Sequence, residues 1–294
     1  MAQYYLSAFA DEAGIEFDTQ IAALQRNRIR FMEIRGTEYG PIDTLANSTV
    51  KELRKKLDDG GIAISSVGSR LGKSPITGKF SHSLETLKRL LEICDMLSAR
   101  QIRMFSYYMP EGEENIGVYR EEVMERLNLL CDCAEKAGVR LMHENEAAIY
   151  GEKTAEVLQI HQDVPRLGGI FDPSNYRKAG VDQAATVKSV MPYVDYLHIK
   201  DCTNDGVIVP AGYGDGLIAE AIEEHSRLYS GNSFLVLEPH LKKFQGYGDI
   251  DKSELKLRFS FKDQTESFDF AVKSLKEVLT KIGYRESEDL AWKK

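Results

Sequence analysis

The feature that most constrains this chain is the repeated change of period in its apolar pattern. Short alternating or β-branched runs give way, again and again, to segments with apolar residues three and four apart. Extended runs fall at Tyr4 to Phe9, Arg30 to Arg35, Ile62 to Gly68 and Gln101 to Tyr107. They recur at Val139 to Glu144, Gly168 to Asp172, Tyr196 to Lys200 and Phe234 to Glu238. Helical spacing follows each run, as in Phe17, Ile21 and Leu24, or Leu84, Leu87, Leu91 and Cys94. Further helices are predicted over Ser48 to Asp59 and Tyr119 to Ala137, from near Lys153, Asp182 and Leu217, and over Phe268 to Ile282. Strict alternation of strand and helix means a parallel sheet. Eight such units without a linker or composition break favour closure into a (β/α)₈ TIM barrel, a single domain over residues 1–294.

In such a barrel the working face lies at the C-terminal ends of the strands. Four consecutive runs end there in a group able to ligate a metal: Glu144, Asp172, His198 and Glu238. Adjacent strands lie ~4.8 Å apart, so four neighbouring ends can converge on one ion. Three carboxylates and one imidazole suit Mn²⁺ first, with Co²⁺, Mg²⁺ or Zn²⁺ as alternatives. Structural zinc sites prefer thiolates and imidazoles. Taken singly, each of these residues is more often a helix cap or a solvated loop residue than a ligand. Four in succession are not, because buried carboxylates without a cation are costly.

Charge and composition exclude other classes. The net charge of -8 argues against a protein that tracks a nucleic-acid backbone. No apolar run approaches the ~20 residues of a membrane span, and the first residues, MAQYYLSAFADE, do not read as a signal peptide. The four cysteines, Cys94, Cys131, Cys133 and Cys202, match neither a zinc pattern nor a disulfide framework. A cytoplasmic protein with reduced thiols is the expectation.

The segments "FADE" (9–12), "MEIRG" (32–36), "HENEAAIYG" (143–151), "FDPSN" (171–175), "LHIKD" (197–201), "VPAGYGDG" (209–216) and "LEPH" (237–240) resemble the xylose isomerase-like superfamily of sugar isomerases, epimerases and endonuclease IV relatives. The likeness covers nearly the whole chain. It implies that Glu144, Asp172, His198 and Glu238 hold one divalent ion and that the two glutamates also act as acid and base. The reaction it implies is isomerisation or epimerisation of a sugar or keto-sugar through an enediolate, in carbohydrate metabolism. Asn175 stands where ketose 3-epimerase-like members often carry histidine, which speaks against a simple free-ketose epimerase. The histidines needed for a three-metal nuclease centre are lacking. Some single-metal relatives are lyases or dehydratases acting on 3-keto sugars or inositol derivatives, among them C-glycoside deglycosidases that work with a small partner subunit. In that alternative His143 would be the base, although strand alternation turns it away from Glu144.

Other polar residues at strand ends are candidates for binding the substrate. Glu33 and Arg35 alternate on the second strand, Lys200 shares facing with His198, and His240 shares facing with Glu238. Asn175 follows the aspartate, and Arg70 and Lys73 lie in the loop after the third strand. Arg103, Phe105 and Tyr107 alternate on the fourth strand, where lining the pocket and packing the barrel explain them about equally. Gly212, Gly214 and Gly216 follow the seventh strand, the wrong place for a nucleotide-binding loop, and read as a flexible lid or turn. The partner expected from all this is a small sugar molecule. A homo-oligomer and a small partner subunit are both left open.

Overall fold

The eight extended runs become eight parallel strands: β1 (Ala2–Ala8), β2 (Phe31–Ile34), β3 (Ala63–Gly68), β4 (Gln101–Met104), β5 (Arg140–Glu144), β6 (Gly168–Phe171), β7 (Val194–Ile199) and β8 (Gly231–Leu237). The structure is a computed structural model, and it describes residues 2–245, 247 and 255–294. Ladders run in the order β2-β3-β4-β5-β6-β7-β8-β1, every pair parallel. This is the strand order of a (β/α)₈ TIM barrel. The helices that follow are α1 (Phe17–Arg26), α2 (Asn47–Gly60), α3 (Phe80–Leu97), α4 (Arg120–Lys136), α5 (Thr154–Asp163), α6 (Pro173–Lys178), α7 (Gln183–Val190), α8 (Ile218–Leu228) and α9 (Gln264–Lys281).

Three details depart from the expected pattern. Strand β4 stops at Met104, beyond which Phe105 N and Tyr107 N donate to Leu71 O and Gly72 O; Tyr107 takes left-handed backbone (φ +68) and its hydroxyl donates to Ser83 Oγ on α3. Tyr107 therefore packs under α3 and does not line the pocket. On α3 the buried stripe is Leu87, Leu90, Ile93, Cys94 and Leu97, while Leu84 is exposed. The third departure is a C-terminal ribbon, β9 (Arg285–Glu286) with β10 (Ala291–Lys293), whose β10 pairs antiparallel with β1 at Tyr4 and Tyr5.

That ribbon takes part of the β1 edge left free by β8, and no ladder joins β1 to β2 among the described residues. Side chains bridge the seam instead. The rings of Tyr5 and Phe31 stand 5.3 Å apart, and Arg35 beyond β2 forms a bidentate pair with Asp11 beyond β1.

Alternation divides the apolar residues into two cores. Phe9, Met142, Ile170, Tyr196 and Val236 fill the barrel interior, while the larger cluster lies between strands and helices. The interior residues form the floor beneath the strand-end groups. The four cysteines are free, and three of them are buried. No helix among the described residues is long and apolar enough to cross a membrane.

Several histidines serve only the outer core. His225 on α8 accepts from the Tyr4 hydroxyl at 2.8 Å if its Nε2–H donates to Val194 O at 3.2 Å. Burial pushes its pKa down to about 4. The unfolded chain then binds a proton that the folded chain refuses, so His225 erodes stability as pH falls from ~6.5 toward 4. The stability gap between wild type and His225→Gln, measured by urea unfolding, is expected to shrink by about 1.4 kcal/mol per pH unit lowered across that window. A gap that does not change with pH would show that His225 titrates alike in both states.

Candidate metal centre and active site

Glu144 ends β5, Asp172 follows β6, His198 lies on β7 and Glu238 follows β8, so inward facing is dictated by alternation. Phe171 pairs with Leu197 and Val236 pairs with His198, which brings Asp172 level with His198 and lifts Glu238 above it. Barrel stagger thus stacks four groups that the chain separates widely. Their ligand-type atoms lie within 4.8 Å of one another, all buried.

His198 Nδ1 faces the centre, 2.9 Å from Glu144 Oε1 and 3.2 Å from Glu238 Oε2. Its Nε2 turns away, 3.2 Å from Glu33 Oε2. Asp172 divides its two oxygens. Oδ1 accepts from the Asn175 backbone N–H at 2.9 Å and caps α6, while Oδ2 meets Lys200 Nζ at 2.7 Å. Cap and ligand candidate, the two readings of this residue, coexist in one side chain. Glu144 Oε2 accepts from Arg103 at 3.1 Å, and Glu238 Oε1 from Arg35 at 2.8 Å. Glu238 Oε2 makes no hydrogen bond.

Charge decides what this arrangement needs. Among the described residues, Asp11, Glu12, Glu144, Asp172 and Glu238 are buried carboxylates paired with three buried permanent cations, Arg35, Arg103 and Lys200, and a further buried carboxylate, Glu33, lies behind His198. An excess of anions in a dry site is either protonated or neutralised by a cation. Burial beside Glu144 and Glu238, only partly offset by Lys200, pushes Asp172 up to about 7. Burial beside Glu238 and Asp11 likewise raises Glu12 well above the carboxylate range, against the pull of Arg35. Burial opposes ionisation of Glu144 too, yet His198 and Arg103 hold it down at about 2. The donor set, the Glu238 oxygen turned to the centre and the negative excess fit one divalent ion held by Glu144, Asp172, His198 and Glu238.

Arg35, Lys200 and His240 join the quartet. Arg35 also stacks 4.2 Å over the Phe9 ring. His240 has a positive φ (+49), and its backbone N–H donates to Glu12 Oε2 at 2.7 Å. Its Nε2 lies 3.4 Å from Glu12 and 3.5 Å from Glu238, and neither ring nitrogen makes a hydrogen bond. Lys73 stands farther out, paired with Glu146 at 2.9 Å.

Three expected site residues are placed differently. Glu33 is fully buried; its Oε2 lies behind His198 and accepts from the Tyr196 hydroxyl at 3.2 Å, while its Oε1 has no hydrogen-bond partner. The Asn175 side chain donates to Asn145 O at 2.8 Å and ties down the loop after β5. His143 points out of the barrel to Ser106 Oγ at 3.0 Å and the His161 ring, and burial pushes its pKa down to about 3. The glycine-rich segment is a pinned turn and no lid. Asp201 accepts the backbone N–H groups of Gly212, Gly214 and Gly216, and a Cβ at Gly214 would lie 2.4 Å from its Oδ1.

Sequence reasoning passed over Asp11 and Glu12, which appeared only as part of a motif, and left Arg103 undecided. Arg103 lies on the inward face of β4, and that facing was its one usable signal.

The sequence profile of the xylose isomerase-like TIM barrel family matches residues 21–245. The chain belongs to this family. Among solved structures it is similar to the IOLI protein with a bound zinc atom, at 14% identity over 95% of this chain and 99% of that one (TM-score 0.72). An L-ribulose 3-epimerase matches at 15% identity over 96% of both chains (TM-score 0.71). The probable 3-DHS dehydratase AsbF from Bacillus anthracis matches at 15% identity over 93% and 98% (TM-score 0.69). At these identities the structural likeness speaks for the fold. No curated protein matches the sequence.

Within this member of the family, Glu33 fixes which imidazole nitrogen faces the centre, as carboxylates behind metal-bound histidines do. Glu33→Gln is expected to weaken Mn²⁺ or Zn²⁺ binding about tenfold or more by calorimetry, with the fold intact by circular dichroism. Unchanged affinity would mean that the carboxylate behind His198 has no part in ion binding.

Proposed function

We propose that the chain is a divalent-metal-dependent isomerase or epimerase of a sugar or keto-sugar. The observation that carries this reading is the pair Glu144 and Glu238. They come from strands separated by two others, lie on either side of His198, and each has one oxygen turned to the centre and one gripped by an arginine. A bound divalent ion would polarise a carbonyl and acidify the neighbouring C–H. Asp172 and His198 would complete its ligands, with Mn²⁺ the first candidate.

The two glutamates are placed to move the proton. One carboxylate removes it from the carbon next to the carbonyl, giving an enediolate, and the other returns it from the opposite side. Arg35 and Arg103 fix the carboxylate orientations, while, against burial, His198 with Arg103 keeps Glu144 ionised and Lys200 with His198 keeps Glu238 ionised. The apolar floor of Phe9, Met142, Ile170, Tyr196 and Val236 excludes water from below. Lys200, 2.7 Å from Asp172 and 3.7 Å from Glu238, can donate to a substrate oxygen as negative charge develops there.

A second reading is a dehydratase or C–C lyase built on the same enolate, with the Lys200 ammonium, 3.7 Å from Glu238, as the donor to the leaving oxygen.

Exchange in D₂O separates these readings. With metal-loaded protein and a panel of keto-sugars, C–H exchange next to the carbonyl is expected by NMR, and it should fall at least a hundredfold in Glu144→Gln and Glu238→Gln (about the worth of a general acid or base). Loss of water or a broken C–C bond in the product would select the lyase. Exchange that survives both substitutions would overturn the assignment of the glutamates.

A further inference from the structure

We propose that the cleft beside the quartet contains an anion subsite, so that the substrate carries a carboxylate or a phosphate at the end remote from the reacting carbon. This rests on the enolising site proposed above and adds a substrate class to it.

The cleft is a cavity of about 170 Å³ bounded by Asp11, Arg35, Asp43, Arg70, Lys73 and Arg103, among others. Arg35 is not available to a ligand there, because its donors go to Asp11 and Glu238. Arg103 differs. It is 2% exposed; its Nη1 donates to Glu144 and lies 3.8 Å from Glu238, and its guanidinium sits 4.8 Å from the Phe9 ring and 5.1 Å from the Phe105 ring. Its Nε is buried without a hydrogen-bond partner. Such a donor on a cavity wall is costly to leave unmet. Arg70, on the outer side, reaches Asp43 only at 3.8 Å, beyond hydrogen-bond distance. Lys73 is held between Glu146 and the Phe105 ring, 4.4 Å below its ammonium.

These cations stand on a rigid support. The loop after β3 is zipped along the chain that follows β4: Ser69 Oγ donates to Arg103 O, Phe105 N to Leu71 O, and Tyr107 N to Gly72 O, at 2.6, 2.8 and 2.9 Å. Gly72 has φ +84, and a Cβ there would fall 1.9 Å from the Phe105 carbonyl oxygen. No other residue permits so close an approach, so the sequence Arg70-Leu-Gly-Lys73 is set at the mouth by backbone geometry. A guanidinium bounding the cavity with a second one outside it supplies the cationic donors that a carboxylate or phosphate takes.

The test uses the full-length, Mn²⁺-loaded protein with inorganic phosphate and malonate as calorimetric probes. One probe is expected to bind, with affinity about tenfold lower in Arg70→Gln, the worth of one charge-assisted hydrogen bond. Lys73→Gln should weaken it as well, while Mn²⁺ affinity stays at the wild-type value in both. Which probe binds distinguishes a phosphate ester from a sugar acid. Neither probe binding, or binding that ignores both substitutions and vanishes only when Mn²⁺ is chelated, overturns the subsite.

The D₂O exchange assay then compares a neutral ketose with its terminal phosphate ester and its terminal acid. Exchange as fast on the neutral sugar as on both anions overturns the anionic substrate and leaves enolisation standing. Exchange on none of the three, with probe binding still dependent on Arg70, overturns enolisation and keeps the subsite.

Discussion

An excess of buried negative charge at one end of the barrel is the constraint around which the site is arranged. Among the described residues, Asp11, Glu12, Glu33, Glu144, Asp172 and Glu238 are out of water together with the permanent cations Arg35, Arg103 and Lys200. Every polar device nearby works to hold those groups apart or in register. Arg35 ties Asp11 to Glu238, Arg103 reaches Glu144, and Lys200 spans Asp172 and Glu238. Removing one partner from such a network would strand another charge, which is why these arginines and this lysine belong to the site as much as the acids do.

The same network closes the molecule where the hydrogen-bond ladder does not. β1 and β2 share no ladder pairing among the described residues, and the C-terminal ribbon covers part of the β1 edge. The Arg35–Asp11 pair and the Tyr5–Phe31 contact cross that seam, one at the mouth and one near the floor. The fold and the site therefore lean on one another. Arg35 joins the two ends of the barrel sheet and at the same time aims Glu238 at His198.

The support behind the site is as specific as the quartet. Glu33 backs His198, Asn175 ties the loop after β5 to α6, and Asp201 gathers three glycine N–H groups into a fixed turn. Glu33 and Asn175 were expected to touch a substrate and the three glycines to form a lid or turn. Glu33 Oε2, the Asn175 amide and the glycine N–H groups are held by protein instead, because a polar group at a strand end is as readily recruited by its neighbours as by a ligand.

Period and facing are local properties, and they were enough to determine the strand–helix order, the inward direction of Glu144, Asp172, His198 and Glu238, and the outward direction of His143. They also put Arg103 on the inner wall. What they could not supply were distances between strands far apart in the chain. Whether Glu33 meets a substrate or His198, whether Arg103 packs or binds, and whether the C-terminal residues add a ribbon all depend on barrel stagger and on contacts across the seam. Those contacts exist only once the sheet has curved, so tertiary structure alone decided them.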